Sequence, residues 1–371
     1  MKIKNLKLIN FRNYDQGCFE FSDNLHIIFG DNGTGKTTLL EAIHFLSLTK
    51  SFRTNNDINI VKKNRDYFQI FGKFLNFKEK SFLVNLNFSK NEGKKIFINK
   101  ADLKRKTDIV GRLPVVIFSP ENQKITDGGP LIRRNFINRI LSQVNSDYFQ
   151  ALIEYKKRIY NRNLLLNQYR SQQQNKYDDY INTIDEMLVG FGAVIQKTRA
   201  DFIEKFNRVF CRAYKKLVHY DESVSLQIIP NIQAGSNEFE KKYKEKLYSR
   251  FESDMILGRT GAGPHLDNIL LLFGDKDIRL VGSQGEHKML LVALKIAEGI
   301  FIEQKLKEPV IFLLDDLFAM LDVTHCVNII NEIGKNKQTI ITTTDVDVIK
   351  NYGFDLSKFN VKTHKLPIGV S

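Results

Sequence analysis

The sequence predicts an α/β fold whose main sheet is drawn from both ends of the chain, with a helical arm inserted between them. Three observations carry this. A glycine-rich loop, Gly30-Asp31-Asn32-Gly33-Thr34-Gly35-Lys36-Thr37, joins the apolar run Leu25 to Phe29 to a helical pattern, Thr38 to Leu46. A second apolar run, Val310 to Leu314, ends in Asp315-Asp316 far along the 371-residue chain. Between them, from Gly128-Gly129-Pro130 to about Leu217, the chain reads mostly as helices in which polar and apolar residues alternate in turns.

At the front, Ile3 to Phe11 alternates apolar and polar side chains, the pattern of a half-buried strand. Arg12-Asn13-Tyr14 turns the chain toward Phe19-Glu20-Phe21 and the strand that enters the loop. Beyond the loop helix, residues 50–56 are polar and aperiodic. Tyr67 to Leu75, Ser81 to Phe88 and Lys95 to Ile98 read as strands of an antiparallel sheet. Val115 to Phe118 is a further buried strand, closed by Ser119-Pro120-Glu121.

In the inserted stretch, Tyr148 to Tyr169 and Tyr180 to Val209 are the longest helical segments. Residues 171–176, rich in glutamine, separate them as the tip of a hairpin with arms of roughly 30 to 45 Å. Periodicity equally allows two core helices of one globular domain. A strand from Ser225 to Ile229, a charged helix over about 237–255 and a strand from Asn268 to Phe273 follow. The polar turn Val281 to Glu286 then opens an apolar helix, Met289 to Ile302. A helix over about 324–333 and a strand from Gln338 to Thr342 complete an α/β ending. The division this gives is 1–128 for the first part of the head, 129–256 for the arm and 257–371 for the second part of the head.

The loop fits G-x-x-x-x-G-K-[ST] at every fixed position, in the strand–loop–helix context that makes it a phosphate site. Its glycines let backbone N–H groups wrap a polyphosphate, and the helix N-terminus adds partial positive charge. Lys36 can reach the β- and γ-phosphates, and Thr37 can offer its hydroxyl to Mg²⁺. An apolar strand ending in acid is the matching half of such a site. Asp315 stands where a carboxylate holds Mg²⁺, and Asp316 can polarise the attacking water as a general base. ATP and Mg²⁺ are the ligands this pairing predicts.

The net charge of +14 favours an anionic partner, nucleic acid or an acidic membrane face, over a neutral one. Cys18, Cys211 and Cys326 form no C-x-x-C, which excludes a disulfide framework and a cysteine zinc hook and suits a reducing compartment. No apolar run has the length of a bilayer span and the start lacks a signal-peptide core, so a cytoplasmic protein with no membrane contact is expected.

Ser283-x-Gly285, before the acidic strand end, resembles the signature motif of the ABC ATPases, which meets the γ-phosphate of ATP held by a second subunit. Ser283-Gln284-Gly285-Glu286 is also S-x-x-E, a capping box, and that reading stays open. With these elements in order, the chain resembles the RecF family of recombination mediators, SMC-like members of the ABC ATPase superfamily. The resemblance rests on Phe11-Arg12-Asn13-Tyr14, Leu40-Glu41-Ala42-Ile43, Ser51-Phe52-Arg53, Ser119-Pro120-Glu121, Gly129-Pro130-x-x-Arg133-Arg134, Gly263-Pro264-His265-x-Asp267 and Leu314-Asp315-Asp316 with Leu321-Asp322. It implies an ABC-type ATPase head with an inserted helical arm, and adds Arg12 and Thr38 to the ATP-binding set of Gly30 to Thr37. It implies an ATP-dependent homodimer with sandwiched nucleotides, in which Ser283, Gly285 and Glu286 act on the partner's ATP. It further implies slow ATP hydrolysis, binding of double-stranded or gapped DNA, and work with RecR and RecO to place RecA on single-stranded gaps in support of the SOS response.

Three positions depart from the family pattern. Glu286 stands in place of the usual Gln. Ala319-Met320 replaces Ser-Glu before Leu321-Asp322, and Thr343-Thr344-Asp345 occupies the switch position where many relatives carry His. DNA contact is expected to be phosphate-directed and salt-sensitive, through a group drawn from Arg133, Arg134, Lys94-Lys95, Lys104-Arg105-Lys106 and Lys156-Lys157-Arg158. A nuclease-associated SMC-like subunit, a transport-coupled ATPase and a phosphotransferase are the rival readings. The short arm and the lack of a domain after Asp322 oppose the first. The wide separation of the two half-sites opposes the second, and the signature turn with the basic charge opposes the third.

Overall fold

The computed structural model describes residues 1–21, 25–173, 177–218, 222–235, 237–317, 326, 329–330, 332–333, 337–344 and 361–366. They group into two compact units. Met1–Gln123, Ala213–His219 and Gln284–Ser371 make the first, and Lys124–Arg212 with Tyr220–Ser283 make the second. The expected Ala319-Met320-Leu321-Asp322, Asp345, most of the helix over 324–333 and the last residues of the hairpin tip lie outside the described residues.

In the first unit, β1 (Lys2–Phe11) and β2 (Tyr14–Glu20) form a hairpin over Arg12-Asn13. Arg12 takes the left-handed conformation there, φ +57°. Strand β3 (Leu25–Phe29) leads into the glycine loop and α1 (Lys36–Leu48). Then come β4 (Tyr67–Leu75), β5 (Ser81–Ser89), β6 (Gly93–Ile98), β7 (Ala101–Asp102) and β8 (Val115–Phe118). An antiparallel sheet runs in the order β2-β1-β4-β5-β6-β7. Alternation sends Phe68, Ile70, Phe74, Val84, Leu86 and Ile96 inward to one core, where Phe11, Phe45, Phe68 and Phe88 form an aromatic chain.

The second unit begins with α2 (Lys124–Asp127) and α3 (Pro130–Val144). Asn145 ends α3 and caps α4 (Ser146–Ser171), its side chain accepting from the Tyr148 N–H at 2.9 Å. α5 (Asp179–Leu217) follows, and its final residues, from Ala213, group with the first unit. β9 (Val224–Ile229), α6 (Phe239–Ser249), α7 (Phe251–Leu257), β10 (Asn268–Phe273), β11 (Lys276–Asp277) and α8 (Ile278–Val281) complete the unit. The charged helix expected over 237–255 is two helices that meet at Arg250. The boundary expected at 257 differs from the structural one, because β10 pairs along its whole length with β9 in a three-stranded sheet, β11-β10-β9. Residues 257–283 therefore group with the helical unit.

Back in the first unit, α9 (Gln284–Leu306) precedes β12 (Ile311–Leu314), β13 (Thr339–Thr343) and β14 (Val361–Lys365). With β3 and β8 these form a fully parallel sheet, order β14-β3-β13-β12-β8. Both chain ends contribute, as the sequence predicts; β14 is an addition, a polar strand that composition hides. Helix α1 touches β1, β4 and β5 of one sheet and β8 and β13 of the other. That double cover explains why α1 has no polar stripe and is buried nearly all round. Because the strands are parallel, Gly30 after β3, Asp315 after β12 and Thr344 after β13 leave from the same edge, the carboxyl end where such sheets bind ligands.

Candidate nucleotide site

At that edge lies a cleft of about 490 Å³, lined among others by Arg12, Lys36, Thr37, Asp315, Asp316 and Thr342. The glycines set its floor. Gly30, Gly33 and Gly35 have φ of +151°, +87° and +98°, a region that side chains oppose. A Cβ on Gly35 would also meet the Tyr14 hydroxyl oxygen at 2.7 Å. Asn13 Nδ2 donates to the Gly33 carbonyl at 3.3 Å, and the Thr34 hydroxyl to the Asp31 carbonyl at 2.9 Å. These bonds hold the loop open around Lys36, whose Nζ donates to the carbonyls of Gly30 and Asp31 at 2.6 and 2.8 Å. Asn32, Gly33, Gly35 and Thr38 also line the cleft, and Asp31 is exposed beside it.

The acidic half meets the loop through hydroxyls. Thr37 Oγ1 donates to Asp315 Oδ1 at 2.9 Å, and Thr342 Oγ1 donates to the same oxygen at 2.8 Å. Asp316 N–H donates to Thr342 Oγ1 at 3.0 Å. Asp316 itself sits at φ +54°, a strained region for a residue with a side chain. Burial pushes the Asp315 carboxyl above its ordinary value, and adjacent Asp316 adds to this. The bonds from Thr342 and Thr37 pull the other way. The residues fit Mg²⁺: an all-oxygen set, with a buried carboxylate short of positive charge. Among the described residues no group of three or more His, Cys, Asp or Glu could hold a metal ion, so a cation here would draw most of its ligands from phosphate and water.

Arg12 reaches the cleft from the hairpin turn. Its Nε and NH2 donate to both oxygens of Glu41 at 2.9 and 2.6 Å, and its NH1 to the Asn59 carbonyl at 2.8 Å. Glu41 is fully buried and also receives Arg53 NH1 at 3.5 Å and the Ser51 hydroxyl. Sequence reasoning left Glu41, Arg53, Asn13 and Thr342 out of the site. The signal for Glu41 was present: a carboxylate inside the apolar run Leu39-Leu40-Glu41-Ala42-Ile43 requires a cation.

The remaining expected residues fall elsewhere. Ser283 ends the second unit, and Gly285 and Glu286 lie in the first turn of α9; Ser283 and Gly285 are exposed. Lys104 and Arg105 are exposed, whereas the side chain of Lys106 lies outside the described residues. Arg133 is corrected. It is buried to 1% exposure, faces Asp277 and donates to the carbonyls of Ile125 and Thr126, so its guanidinium is committed inside the second unit and cannot reach a phosphate backbone. Burial lowers its pKa even beside Asp277. Arg134 is half-buried and donates to the Asp267 carbonyl at 2.5 Å. Lys94 is paired with Asp57 at 2.8 Å and Lys95 with Glu92 at 2.7 Å; Lys156 and Lys157 are exposed, and Arg158 pairs with Glu154 at 3.4 Å. No described helix is long and apolar enough to cross a membrane.

The chain is similar to known proteins over most of its length. The model of the RecF/RecN/SMC N-terminal domain matches residues 2–364. The DNA replication and repair protein RecF of Salinibacter ruber is 35% identical over 87% of this chain and 79% of its own. That of Clostridium botulinum is 34% identical over 95% of both. A solved structure of the recombination mediator protein RecF in the RecFOR pathway, with an ATP analogue, superposes with a TM-score of 0.89. It shares 28% identity and covers 99% of this chain and 96% of that one. An SMC head domain from Pyrococcus furiosus bears a fold likeness alone, with a TM-score of 0.53 at 19% identity over 98% and 94% of the two chains.

Proposed function

The chain belongs to the RecF family of DNA replication and repair proteins, and from that premise we propose that it is an ATP-gated DNA-binding protein of recombinational repair. The observation that carries this is the meeting of Lys36, Thr37, Arg12, Asp315 and Asp316 in one cleft from opposite ends of the chain. Lys36 rests on two carbonyls of its own loop, so it is held at the loop centre and exchanges those bonds for phosphate oxygens. Thr37 and Asp315 would hold Mg²⁺ beside them, and the ion would supply neutralisation of phosphate charge. Asp316 takes the proton of the attacking water, and its strained backbone, tied to Thr342, fixes where the carboxylate starts.

Two such clefts close on each other in a homodimer, with the exposed Ser283 and Gly285 of one copy facing the nucleotide of the other. ATP occupancy then sets the grip on double-stranded or gapped DNA, and slow hydrolysis releases it. RecR and RecO are the expected partners in delivering RecA. Exposed Lys104 and Arg105 contribute phosphate contacts; Arg133 does not.

The test pairs light scattering with gel shifts on gapped DNA, with and without ATP. Lys36→Met is expected to weaken ATP binding by roughly 10- to 100-fold, to abolish ATP-induced dimers and to leave the protein folded. An unchanged dimer population, or DNA binding indifferent to both ATP and salt, would overturn the reading.

A further inference from the structure

The first unit holds a second, larger cleft, of about 780 Å³, on the outer face of the antiparallel sheet. The strand register places four of its residues in one row across four strands. Lys7 on β1 lies opposite Phe71 on β4, Phe71 opposite Asn85 on β5, and Asn85 opposite Phe97 on β6. Since Ile70, Leu86 and Ile96 point into the core, this row points away from it. Two aromatic rings therefore stand two strands apart, about 10 Å, with a carboxamide between them.

That carboxamide has an unmet need. Asn85 Oδ1 is buried and has no hydrogen-bond partner, and neither has Asn87 Oδ1 one row on. Both residues line the cleft. Three lysines line it as well, Lys7, Lys73 and Lys100, against one acid, Glu20. Lys100 is lifted there by the tight turn Asn99-Lys100 between β6 and β7, both residues at positive φ, +50° and +71°.

Flat rings to stack on, acceptors that want N–H groups and a surplus of cations at the rim together describe the chemistry of nucleobases on an anionic strand. A duplex does not fit, because its base faces are already stacked on each other. We propose that this sheet face is a stacking platform for single-stranded DNA. Bases lie against Phe71 and Phe97, an exocyclic amine reaches Asn85, and phosphates run toward Lys7, Lys73 and Lys100. The inference rests on the proposed function only for the identity of the polymer; the surface itself is independent of the ATP cleft.

The experiment uses the full chain and a 12-nucleotide mixed-sequence DNA strand carrying 5-iodo-deoxyuridine, cross-linked by light and mapped by mass spectrometry. Cross-links are expected on Phe71 or Phe97. By fluorescence anisotropy, Phe71→Ala with Phe97→Ala is expected to weaken single-strand binding by at least ten-fold, with duplex binding and binding of a fluorescent ATP analogue unchanged. Lys7→Glu with Lys100→Glu, both surface changes, is expected to weaken it several-fold and to flatten its salt dependence. Cross-links confined to other elements, or single-strand binding that survives both variants, would overturn the proposal. So would tighter binding of an RNA strand of the same sequence, or of an acidic peptide in place of DNA. Wild-type protein that grips gapped or duplex DNA with ATP but ignores the free strand sinks this proposal alone. Wild-type protein that binds no DNA of any kind sinks the proposed function with it.

Discussion

Glu41 in the first unit and Asp185 in the second are both fully buried carboxylates held by arginine, and they are built for different ends. Glu41 receives two arginines from the cleft side, and these keep a face toward solvent, with side-chain exposures of 20% for Arg12 and 40% for Arg53. Asp185 receives Arg162, which has no exposure at all and is shared with Asp254, the Thr260 hydroxyl and the Leu247 carbonyl. Arg162 on α4 bonds to Asp185 on α5, Leu247 on α6 and Asp254 on α7, so it fixes these helices to one another. Arg199 does likewise with Asp267, Asn138 and the Tyr148 hydroxyl oxygen, and Arg133 with Asp277. The lesson is that an arginine whose donors are all spent is a staple, and one whose outer edge stays in a cleft is a receptor. Charge in the sequence does not separate the two.

Removing the staple should give the largest effect. Burial works against the charge of Arg162, and Asp185 and Asp254 outweigh it, so the guanidinium stays cationic. Arg162→Ala leaves Asp185 without its cation and Asp254 with only the longer pair to Arg250 at 3.5 Å, and should destabilise the protein by about 3–5 kcal/mol, read as a lower urea midpoint. Loss below 1 kcal/mol would show that water enters and replaces the arginine.

The same unit supplies a pH-dependent effect of intermediate size. His265 Nε2 faces the Thr260 carbonyl at 3.2 Å, so it carries the hydrogen, and Nδ1 accepts from the Tyr155 hydroxyl at 2.8 Å. Burial, with help from Arg134 and Arg199, drives its pKa down from 6.5 to about 4. A depressed histidine binds its proton more readily in the unfolded chain. Its contribution is therefore complete above pH 6.5 and is lost as pH falls toward 4. Thermal melts between these limits should show a loss of about 1–3 kcal/mol that is shallower in His265→Gln. An identical slope in the variant would place the acid sensitivity in other groups.

What the sequence disclosed follows the same division. The glycine loop, its flanking strand and helix, and Asp315-Asp316 were legible because each is specified by neighbours in the chain. The antiparallel strands were legible from alternation alone. The pairing of β9 with β10 was not, since strand partners are chosen by tertiary packing, and the domain boundary was set too early as a result. Arg133 misled for a related reason: its partner Asp277 is remote in sequence, and burial is invisible in a basic dipeptide. Strand β14, Val361–Lys365, is polar at every position after Val361 and mostly exposed, so only its pairing with β3 reveals it.

The finest comparison lies within the Glu41 cluster itself. Arg12 gives Glu41 two charge-assisted bonds and is locked by the hairpin turn, whereas Arg53 approaches one oxygen at 3.5 Å from a half-exposed position. Arg12→Ala strips most of the compensation from a buried carboxylate and should lower stability by about 1–3 kcal/mol. Arg53→Ala removes a solvated pair and should change stability by less than about 1 kcal/mol. Both line the ATP cleft, so both should weaken binding of a fluorescent ATP analogue. The two substitutions therefore separate on chemical denaturation and converge on nucleotide titration. Equal destabilisation would make Arg53 a second staple. Unchanged nucleotide affinity in both would mean that their exposed edges face water and not phosphate, and the distinction between staple and receptor would not hold at this cleft.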